Sequence, residues 1–249
     1  MNRYGLIGFP LTHSFSQRYF TDKFSREGIT DCQYELYELP DVSGLSAVLQ
    51  TPGLRGLNVT IPHKQAVLPF LDRLDTSAQK VGAVNVIKLE ADGSRTGYNS
   101  DYYGFRQSLQ NWFNELGITH FNGQALVLGT GGASKAVVAA LTDLGIPYRL
   151  VSRQPSSATL AYADLPEVID QYQLIINCSP VGTLPHENEA PNLPYARLTS
   201  QHLLYDLVYN PVQTRFMELG QERGAAVMNG YQMLVLQAEK AWEIWDKKG

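Results

Sequence analysis

Cysteine is scarce in this 249-residue chain, where Cys32 and Cys178 are the two present and lie far apart. A disulfide framework or a cysteine-based zinc site is therefore not expected, and the composition fits a reducing cytoplasm. No run of eighteen apolar residues occurs, so no transmembrane helix is predicted. In the first ten residues Gly and Pro interrupt the sequence after a few apolar residues, unlike in a secretory signal, so this segment is predicted to be a first strand.

Positive charge is also in short supply, because the formal net charge is −4. This balance gives no basic footprint for nucleic acid, and no membrane partner is expected. A content of 44% hydrophobic and 18% charged residues fits a globular enzyme, and the length allows two domains. The expected partner is a small-molecule substrate, with the chain acting as a monomer or homodimer.

Strand and helix patterns alternate through the first hundred residues. The predicted strands are Tyr4–Gly8, Gln33–Leu39, Leu57–Thr60, Val84–Leu89 and Arg95–Tyr98. The predicted helices are Ser16–Glu27, Val42–Gln50 and Lys64–Leu74. Such alternation is typical of a mostly parallel sheet with helices packed on it, and Asp92-Gly93 predicts a hairpin between the last two strands.

A second α/β series follows a helix predicted from Tyr102 to about Leu116. Its predicted strands are Ala125–Gly129, Tyr148–Ser152, Leu174–Asn177, Leu203–Leu207 and Ala226–Met228, and its predicted helices are Ala133–Leu144 and Tyr231–Trp245. The sequence therefore predicts an α/β protein of two domains, residues 1–100 and 101–229. The terminal helix, within residues 230–249, is expected to pack back on the first domain, with the active cleft between domains.

Lys64 follows the apolar strand segment Asn58–Ile61, which Pro62 ends because proline cannot donate to a sheet ladder. This places Lys64 at the carboxyl end of a strand, where open α/β sheets bind ligands. A lone Lys at a turn is more often a solvated surface residue, so its interpretation depends on the rest of the chain.

A glycine turn joins the predicted strand Ala125–Gly129 to a helix start. Gly129 permits the tight turn, and Gly131 lets the backbone approach a pyrophosphate. The new helix offers unpaired N–H groups and a positive dipole end. Ser134 replaces the third glycine of the dinucleotide fingerprint, and the strand–turn–helix context favours dinucleotide binding over an ordinary turn.

Arg153 follows the next predicted strand, about twenty residues beyond the glycines, where an NAD site usually presents an acidic residue. No acidic residue occurs between Gly145 and Ala163. A guanidinium pairs well with a 2′-phosphate, so NADP is favoured over NAD, the alternative being a surface arginine in a loop.

Five further stretches, taken with the Lys64 segment and the glycine turn, resemble the shikimate dehydrogenase family in the same order along the chain. They are Gly8–Ser16, Gly82–Asn85, Gly97–Asp101, Tyr205–Pro211 and Asn229–Gln237. The resemblance implies a reversible reduction of 3-dehydroshikimate to shikimate with NADPH. In that family Pro usually stands where this chain has Gln17, and Asn-Arg-Thr where it has Ser152-Arg153-Gln154, so two polar partners of the phosphate are lost.

The resemblance also implies a role for each site residue. Lys64 and Asp101 would stabilise the developing alkoxide and act as general acid or base. Ser14 and Ser16 would hold the substrate carboxylate. The ring hydroxyls would be bound by Thr60, Asn85, Tyr209 and Gln237. The cofactor would be bound by Gly129, Gly131, Gly132, Ala133, Ser152, Arg153, Ser179, Leu207 and Gly230.

Plainer interpretations exist for several of these residues. Ser14, Ser16 and Asp101, each taken alone, are more typical of helix N-caps, and His13 and His63 are expected to be structural. Alternatives for the whole chain are a quinate/shikimate dehydrogenase using NAD, a non-catalytic metabolite-binding paralogue, or another two-domain dehydrogenase such as a methylene-folate enzyme. The Lys64 and Asp101 pair argues against a mere binding module, and no metal or covalent nucleophile is expected.

Overall fold

The structure, a computed structural model, describes residues 1–11 and 14–246. The chain divides into two compact units, residues 1–103 with residues 237–246, and residues 104–236. Each unit contains one six-stranded sheet. The predicted α/β class, with a mostly parallel N-terminal sheet and a Rossmann-type second sheet, is confirmed.

The first unit is built on a sheet of strand order β2-β1-β3-β5-β6-β4. Its strands are β1 Asn2–Gly8, β2 Cys32–Glu38, β3 Leu54–Val59, β4 Arg73–Leu74, β5 Val86–Leu89 and β6 Arg95–Tyr98. Its helical elements are α1 Phe15–Arg26, the short α2 Leu45–Val48, α3 Thr76–Val81 and the start of α4 Ser100–Glu115. β3 pairs parallel with β1 and antiparallel with β5, and β5 pairs antiparallel with β6 as the predicted hairpin.

This strand arrangement gathers several loops at one edge of the sheet. Because β1, β3 and β6 run in the same direction, their carboxyl ends lie at the same edge, and the amino end of the antiparallel β5 lies there too. The segments that follow β1, β3 and β6, and the one that precedes β5, contain the predicted substrate-site residues of this unit except Gln237, which lies on the terminal helix.

One face of this sheet is covered by aromatic side chains of α1 and of the terminal helix α8, Tyr231–Asp246. Phe20 stacks on Tyr34 with ring centroids 4.7 Å apart, and Trp245 lies 5.4 Å from Phe20. The indole N–H of Trp245 donates to the Ile87 carbonyl at 3.0 Å. Aromatic burial of this kind and a satisfied indole fix the end of α8 on the sheet.

The predicted helix Lys64–Leu74 is wrong. In its place the chain forms turns, a 3₁₀ segment at Leu68–Phe70 and the short strand β4. Pro69 explains the difference, because a proline inside a helix removes a hydrogen bond and clashes with the preceding turn. Val42–Gln50 is likewise broken into a 3₁₀ turn, Val42–Gly44, and α2.

The second unit holds a wholly parallel sheet of order β12-β11-β10-β7-β8-β9. Its strands are β7 Ala125–Leu128, β8 Tyr148–Ser152, β9 Thr159–Ala161, β10 Leu174–Asn177, β11 Leu203–Asp206 and β12 Ala226–Met228. Its helices include α5 Gly132–Asp143, α6 Leu165–Val168 and α7 Arg215–Gln221. Counted within the unit, the order is 3-2-1-4-5-6, that of dinucleotide-binding folds, whose ligands bind where the order reverses, here between β7 and β10.

The central strands of this sheet are buried on both faces, since all four residues of β7, β10 and β11 are buried. Such continuous apolar runs are typical of parallel sheets covered by helices on each side. β9, α6 and α7 were not predicted, and each has seven residues or fewer. Within the part of the chain that the structure describes, no helix is long and apolar enough to span a membrane.

Candidate active site

Lys64 lies on a compact turn that follows β3. The turn is fixed by backbone hydrogen bonds from Thr60 to Ile7, from His63 to Thr60 and from Val84 to the Lys64 carbonyl, the last at 2.8 Å. His63 is buried, with Nε2 2.7 Å from the Leu39 carbonyl oxygen, which is the expected structural role. The backbone of Lys64 is therefore held rigidly while its side chain projects from the turn.

The Lys64 ammonium donates to Asp101 Oδ2 at 2.6 Å. The two side chains are 22% and 16% exposed, so the pair is shielded yet open to a small ligand. Asp101 lies in the first turn of α4, where the helix dipole favours a carboxylate. Asn99 caps the start of α4, since its Oδ1 accepts from Tyr102 N at 3.1 Å. The expected capping by Asp101 is therefore not observed, and Asp101 Oδ2 instead accepts from Lys64.

Asn85 and Gln237 are joined by Ser100, a fully buried residue. Ser100 N donates to Asn85 Oδ1 at 2.6 Å, and Asn85 Nδ2 donates to Ser100 Oγ at 3.0 Å. Ser100 Oγ in turn lies 3.4 Å from Gln237 Oε1. Since Asp101 is the next residue, the two amides and the ion pair form one contiguous group within the first unit.

Ser14 and Ser16 lie at the start of α1, at the same sheet edge. Ser14 Oγ accepts from Gln17 N at 3.2 Å and thus caps the helix, as its plainer interpretation predicts. Ser16 is within hydrogen-bonding reach of Tyr34, and it partly offsets the rise that burial causes in the pKa of the Tyr34 phenol. Thr60 is half-buried at the end of β3, and His13 lies outside the described residues.

Tyr209 belongs to the second unit and follows β11. Its side chain is 36% exposed, and burial of the hydroxyl raises its pKa. In the first unit the structure therefore brings together the Lys64–Asp101 pair with Asn85 and Gln237, and it places both serines and Thr60 at the same edge of the sheet.

The glycine turn after β7 takes the geometry that a phosphate site needs. Gly129 has φ +106°, a conformation that side chains disfavour, and it lies against the Cys178–Ser179 backbone. A Cβ at Gly131 or Gly132 would meet nothing within 4 Å, so the start of α5 is open, and no side chain caps it. Ser134 is buried and donates to the Gly131 carbonyl at 2.7 Å, which ties the loop to the helix as a third glycine could not.

Ala133 lies in the first turn of α5, and Ser152 and Arg153 lie at and beyond the end of β8. Arg153 is exposed, and among the described residues no carboxylate is hydrogen bonded to it or ion-paired with it. The Arg153 charge acts on the half-buried Tyr162, whose pKa is raised by burial and lowered to a smaller extent by this charge. The guanidinium is thus available to an anionic ligand.

Ser179 is held by the buried amide of Asn177. Asn177 Oδ1 accepts from Ser179 N at 3.0 Å and from Ser179 Oγ at 2.6 Å. Asn177 Nδ2 donates to Asp206 Oδ1 at 2.9 Å. The loop after β10 is therefore anchored from below by two buried polar residues.

Gly230 makes the closest backbone contact in this region. A Cβ there would lie 2.1 Å from the Leu207 carbonyl oxygen, so only glycine allows the two segments to approach. Gly230 N donates to the Val208 carbonyl at 3.0 Å. Leu207 and Gly230, predicted separately from sequence, are neighbours in the second unit.

Four residues of this region were not predicted as site residues: Ser100, Asn177, Asp206 and Thr214. Ser100 and Asp206 lie within the stretches Gly97–Asp101 and Tyr205–Pro211, and Asn177 ends a predicted strand, but a serine or asparagine carries no signal of burial by itself. The signal for Asp206 is its position at the end of an apolar strand, where a carboxylate requires buried donors.

The open start of α5, the close approach at Gly129 and the exposed Arg153 beyond β8 have the geometry and charge that the phosphates of NADP require. Within residues 1–11 and 14–246, no cluster of His, Cys, Asp or Glu has the arrangement of a metal site.

Comparison with known proteins identifies the family. The family model for the shikimate dehydrogenase substrate binding domain matches residues 6–87. A shikimate dehydrogenase (NADP(+)) of Geobacillus kaustophilus is 37% identical over 258 residues, covering 97% of this chain and 91% of the relative.

Two solved structures extend the likeness to three dimensions. The shikimate dehydrogenase of Aquifex aeolicus is 31% identical with a TM-score of 0.86, covering 99% of this chain and 92% of that one. The shikimate 5-dehydrogenase of Thermus thermophilus, in complex with NADP(H) and shikimate, is 31% identical with a TM-score of 0.83, covering 99% and 94%. This chain belongs to the shikimate dehydrogenase family.

Proposed function

We propose that this chain catalyses the reversible reduction of 3-dehydroshikimate to shikimate with NADPH, a step of aromatic amino-acid biosynthesis. The observation that carries the proposal is the Lys64–Asp101 pair, with 2.6 Å between Nζ and Oδ2, in a family member with a parallel dinucleotide-binding sheet. The chain is accordingly an oxidoreductase that acts on a CH–OH group with NADP.

Carbonyl reduction requires a hydride at the carbon and a proton at the oxygen. NADPH, when bound, supplies the hydride. The Lys64 ammonium stabilises the negative charge that develops on the oxygen, because it is a fixed cation in a shielded site. Lys64 and Asp101 together transfer the proton as general acid or base, and Asp101 holds the ammonium in place.

The substrate is a small acid with several ring hydroxyls, so its pocket requires hydroxyl and amide partners. We assign the carboxylate to Ser14 and Ser16, and the ring hydroxyls to Thr60, Asn85, Tyr209 and Gln237. Support comes from the position of Ser14, Ser16, Thr60 and Asn85 at one sheet edge and from the Ser100 link between Asn85 and Gln237. Amides whose orientation is fixed before binding lose little entropy on recognition.

We assign NADP to the second unit, and the substrate-binding residues other than Tyr209 to the first, Gln237 of the terminal helix included. The pyrophosphate is proposed to bind at the Gly129–Ala133 turn and the 2′-phosphate at Ser152 and Arg153. Ser179, Leu207 and Gly230 are proposed to border the nicotinamide. A cytoplasmic location is proposed from the two free cysteines, and the chain is proposed to act as a monomer or homodimer.

An absorbance assay at the nicotinamide band tests the function. Shikimate and quinate are each offered with NADP and with NAD. We expect the highest specificity constant for shikimate with NADP, and much weaker turnover of quinate. A higher specificity constant for quinate, or no turnover of either acid, would overturn the proposal.

A further inference from the structure

Asp206 is a fully buried carboxylate at the carboxyl end of β11. Its Oδ1 accepts from Asn177 Nδ2 at 2.9 Å and from Val208 N at 3.0 Å, and its Oδ2 accepts from Thr214 Oγ1 at 2.7 Å. All three donors are neutral, and among the described residues no cation is ion-paired with it. A buried charge without a cation is costly, so its presence here requires a reason.

The first of the three hydrogen bonds fixes the loop that contains Ser179. An asparagine amide can bind in either of two orientations, and a carboxylate facing it accepts only from its nitrogen. Asp206 therefore turns Asn177 so that its Oδ1 faces Ser179 N and Ser179 Oγ, at 3.0 and 2.6 Å. The Val181 carbonyl, which accepts from Asn177 Nδ2 at 3.3 Å, supports the same orientation. The carboxylate provides the shorter of the two contacts to that nitrogen, at 2.9 Å.

The second hydrogen bond fixes the Leu207–Gly230 contact. Val208 donates its N–H to Asp206 and accepts from Gly230 N at 3.0 Å. Leu207 precedes Val208, and its carbonyl is the group against which Gly230 packs most closely. One carboxylate thus holds both backbone segments that the proposed function places beside the nicotinamide.

The third hydrogen bond connects the same carboxylate to α7. Thr214 is the N-cap of α7, where its Oγ1 accepts from Met217 N at 3.4 Å while donating to Asp206. The ends of two adjacent strands and the start of a helix therefore share one buried acceptor. Packing alone could join these segments, but it would not fix the direction of their polar groups.

We propose that Asp206 is a positioning residue for the nicotinamide end of the cofactor site, acting through Asn177 on the Ser179 loop and through Val208 on the Leu207–Gly230 contact. The inference rests on the proposed function, because that function assigns these segments to the nicotinamide. It makes no claim about the adenosine end, which the Gly131 turn and Arg153 are proposed to bind.

The test compares two ligands, NADP⁺ and adenosine 2′,5′-bisphosphate, which carries the 2′-phosphate and lacks the nicotinamide. Dissociation constants are measured by calorimetry for the wild type and Asp206→Ala, together with turnover of shikimate and a melting curve. We expect Asp206→Ala to weaken NADP⁺ about tenfold or more and to lower turnover, and to leave the bisphosphate affinity within about twofold.

Two further variants separate positioning from general stability. Asp206→Asn keeps an acceptor for Asn177 and Val208 and can donate to Thr214 Oγ1, so it should restore most of the NADP⁺ affinity and turnover. Ile175→Val removes a methyl from the same buried neighbourhood on β10, and it should leave the ratio of the two affinities unchanged. If Asp206→Ala does not fold, Asn177→Ala should show the same selective loss in smaller measure, because it removes the hydrogen bonds to Ser179, Val181 and Asp206 but leaves the bond between Asp206 and Val208.

Equal losses for both ligands, or unchanged NADP⁺ affinity and turnover in a folded Asp206→Ala protein, would overturn the positioning role. The same holds if Asp206→Asn is as impaired as Asp206→Ala, since hydrogen bonding would then not be the cause. A wild-type protein that binds neither nucleotide would instead overturn the proposed function, and this role with it.

Discussion

Lys64 Nζ lies 2.6 Å from Asp101 Oδ2, although 37 residues separate the two along the chain. The strand directions explain the meeting. β3 and β6 are both antiparallel to β5, so their carboxyl ends lie at one edge, with Lys64 on the turn after β3 and Asp101 in the helix after β6. A pair brought together by sheet topology is held in register by the whole sheet, which suits residues that share a proton.

Arg153→Ala should weaken NADP selectively. The exposed guanidinium has no carboxylate partner among the described residues, and a charge-assisted hydrogen bond to a 2′-phosphate accounts for roughly tenfold to a hundredfold in affinity. Dissociation constants for NADP⁺ and NAD⁺ check this, with Arg149→Ala, an exposed arginine of the preceding strand β8, as the control. Equal losses for both nucleotides would mean that Arg153 supports the fold instead.

The sequence predicted the architecture well because its signals were local. Apolar runs such as Ala125–Leu128, and the glycine turn after them, determine strands and a phosphate loop through backbone preferences that neighbouring residues reveal. The helix expected over Lys64–Leu74 failed for the opposite reason, since the apolar spacing was outweighed by Pro69.

Candidate site residues could be predicted where the residue type itself indicates a chemical role, as with Lys64, Arg153 and the glycines. Ser100 and Asn177 escaped prediction because their importance lies in which groups they touch after folding. Asp101 shows the same limit, since the residue taken alone favours a capping role, whereas in the structure Asn99 accepts the hydrogen bond from the start of α4.

Gly230→Ala should destabilise the second unit and weaken NADP binding together. The added methyl would lie 2.1 Å from the Leu207 carbonyl oxygen, and a backbone atom cannot move aside as a flexible side chain can. Forced overpacking costs about 1–3 kcal/mol of unfolding free energy. Thermal melts and NADP⁺ titrations measure both effects, and a variant with the melting temperature and affinity of the wild type would show that this approach is not required.

The stability difference between Asp206→Asn and the wild type should depend on pH. Burial raises the pKa of Asp206 from 3.8 to about 6, and the hydrogen bonds from Thr214, Val208 and Asn177 only partly offset this. The pKa of Asp206 is higher in the folded protein than in the unfolded one. The stabilisation that this difference gives the folded protein is therefore complete below about pH 3.8 and is lost as the pH rises through about 6.

Ionised Asp206 therefore costs roughly 3 kcal/mol at neutral pH, which asparagine avoids. The other titratable groups that face Asp206, Cys178 and Tyr195, stay neutral there because burial raises the pKa of each far above 7. The free energy of unfolding of both proteins is measured with denaturant between pH 5 and pH 8, which lie roughly one to two pH units on either side of that pKa. We expect the stability advantage of Asp206→Asn over the wild type to grow with pH. An advantage that is constant, or that shrinks as the pH rises, would contradict the account.

Lys64→Ala and Asp101→Asn should be non-additive in turnover. Each removes one member of a hydrogen-bonded pair, so the double variant should lose less than the product of the two single losses. Steady-state turnover of the three proteins completes the cycle. Losses that multiply would show that the two side chains act independently.

The most direct test of the central claim is the turnover of Lys64→Ala with shikimate and NADP⁺, measured alongside its melting curve and its affinity for shikimate. General acid–base help is worth roughly 10²–10⁴ in rate, so turnover should fall by about that factor while the melt and the affinity change far less. Lys80→Ala, an exposed lysine of the same unit, should retain wild-type turnover. Near-normal turnover in a folded Lys64→Ala protein would contradict the assignment of Lys64 and Asp101 as the catalytic pair.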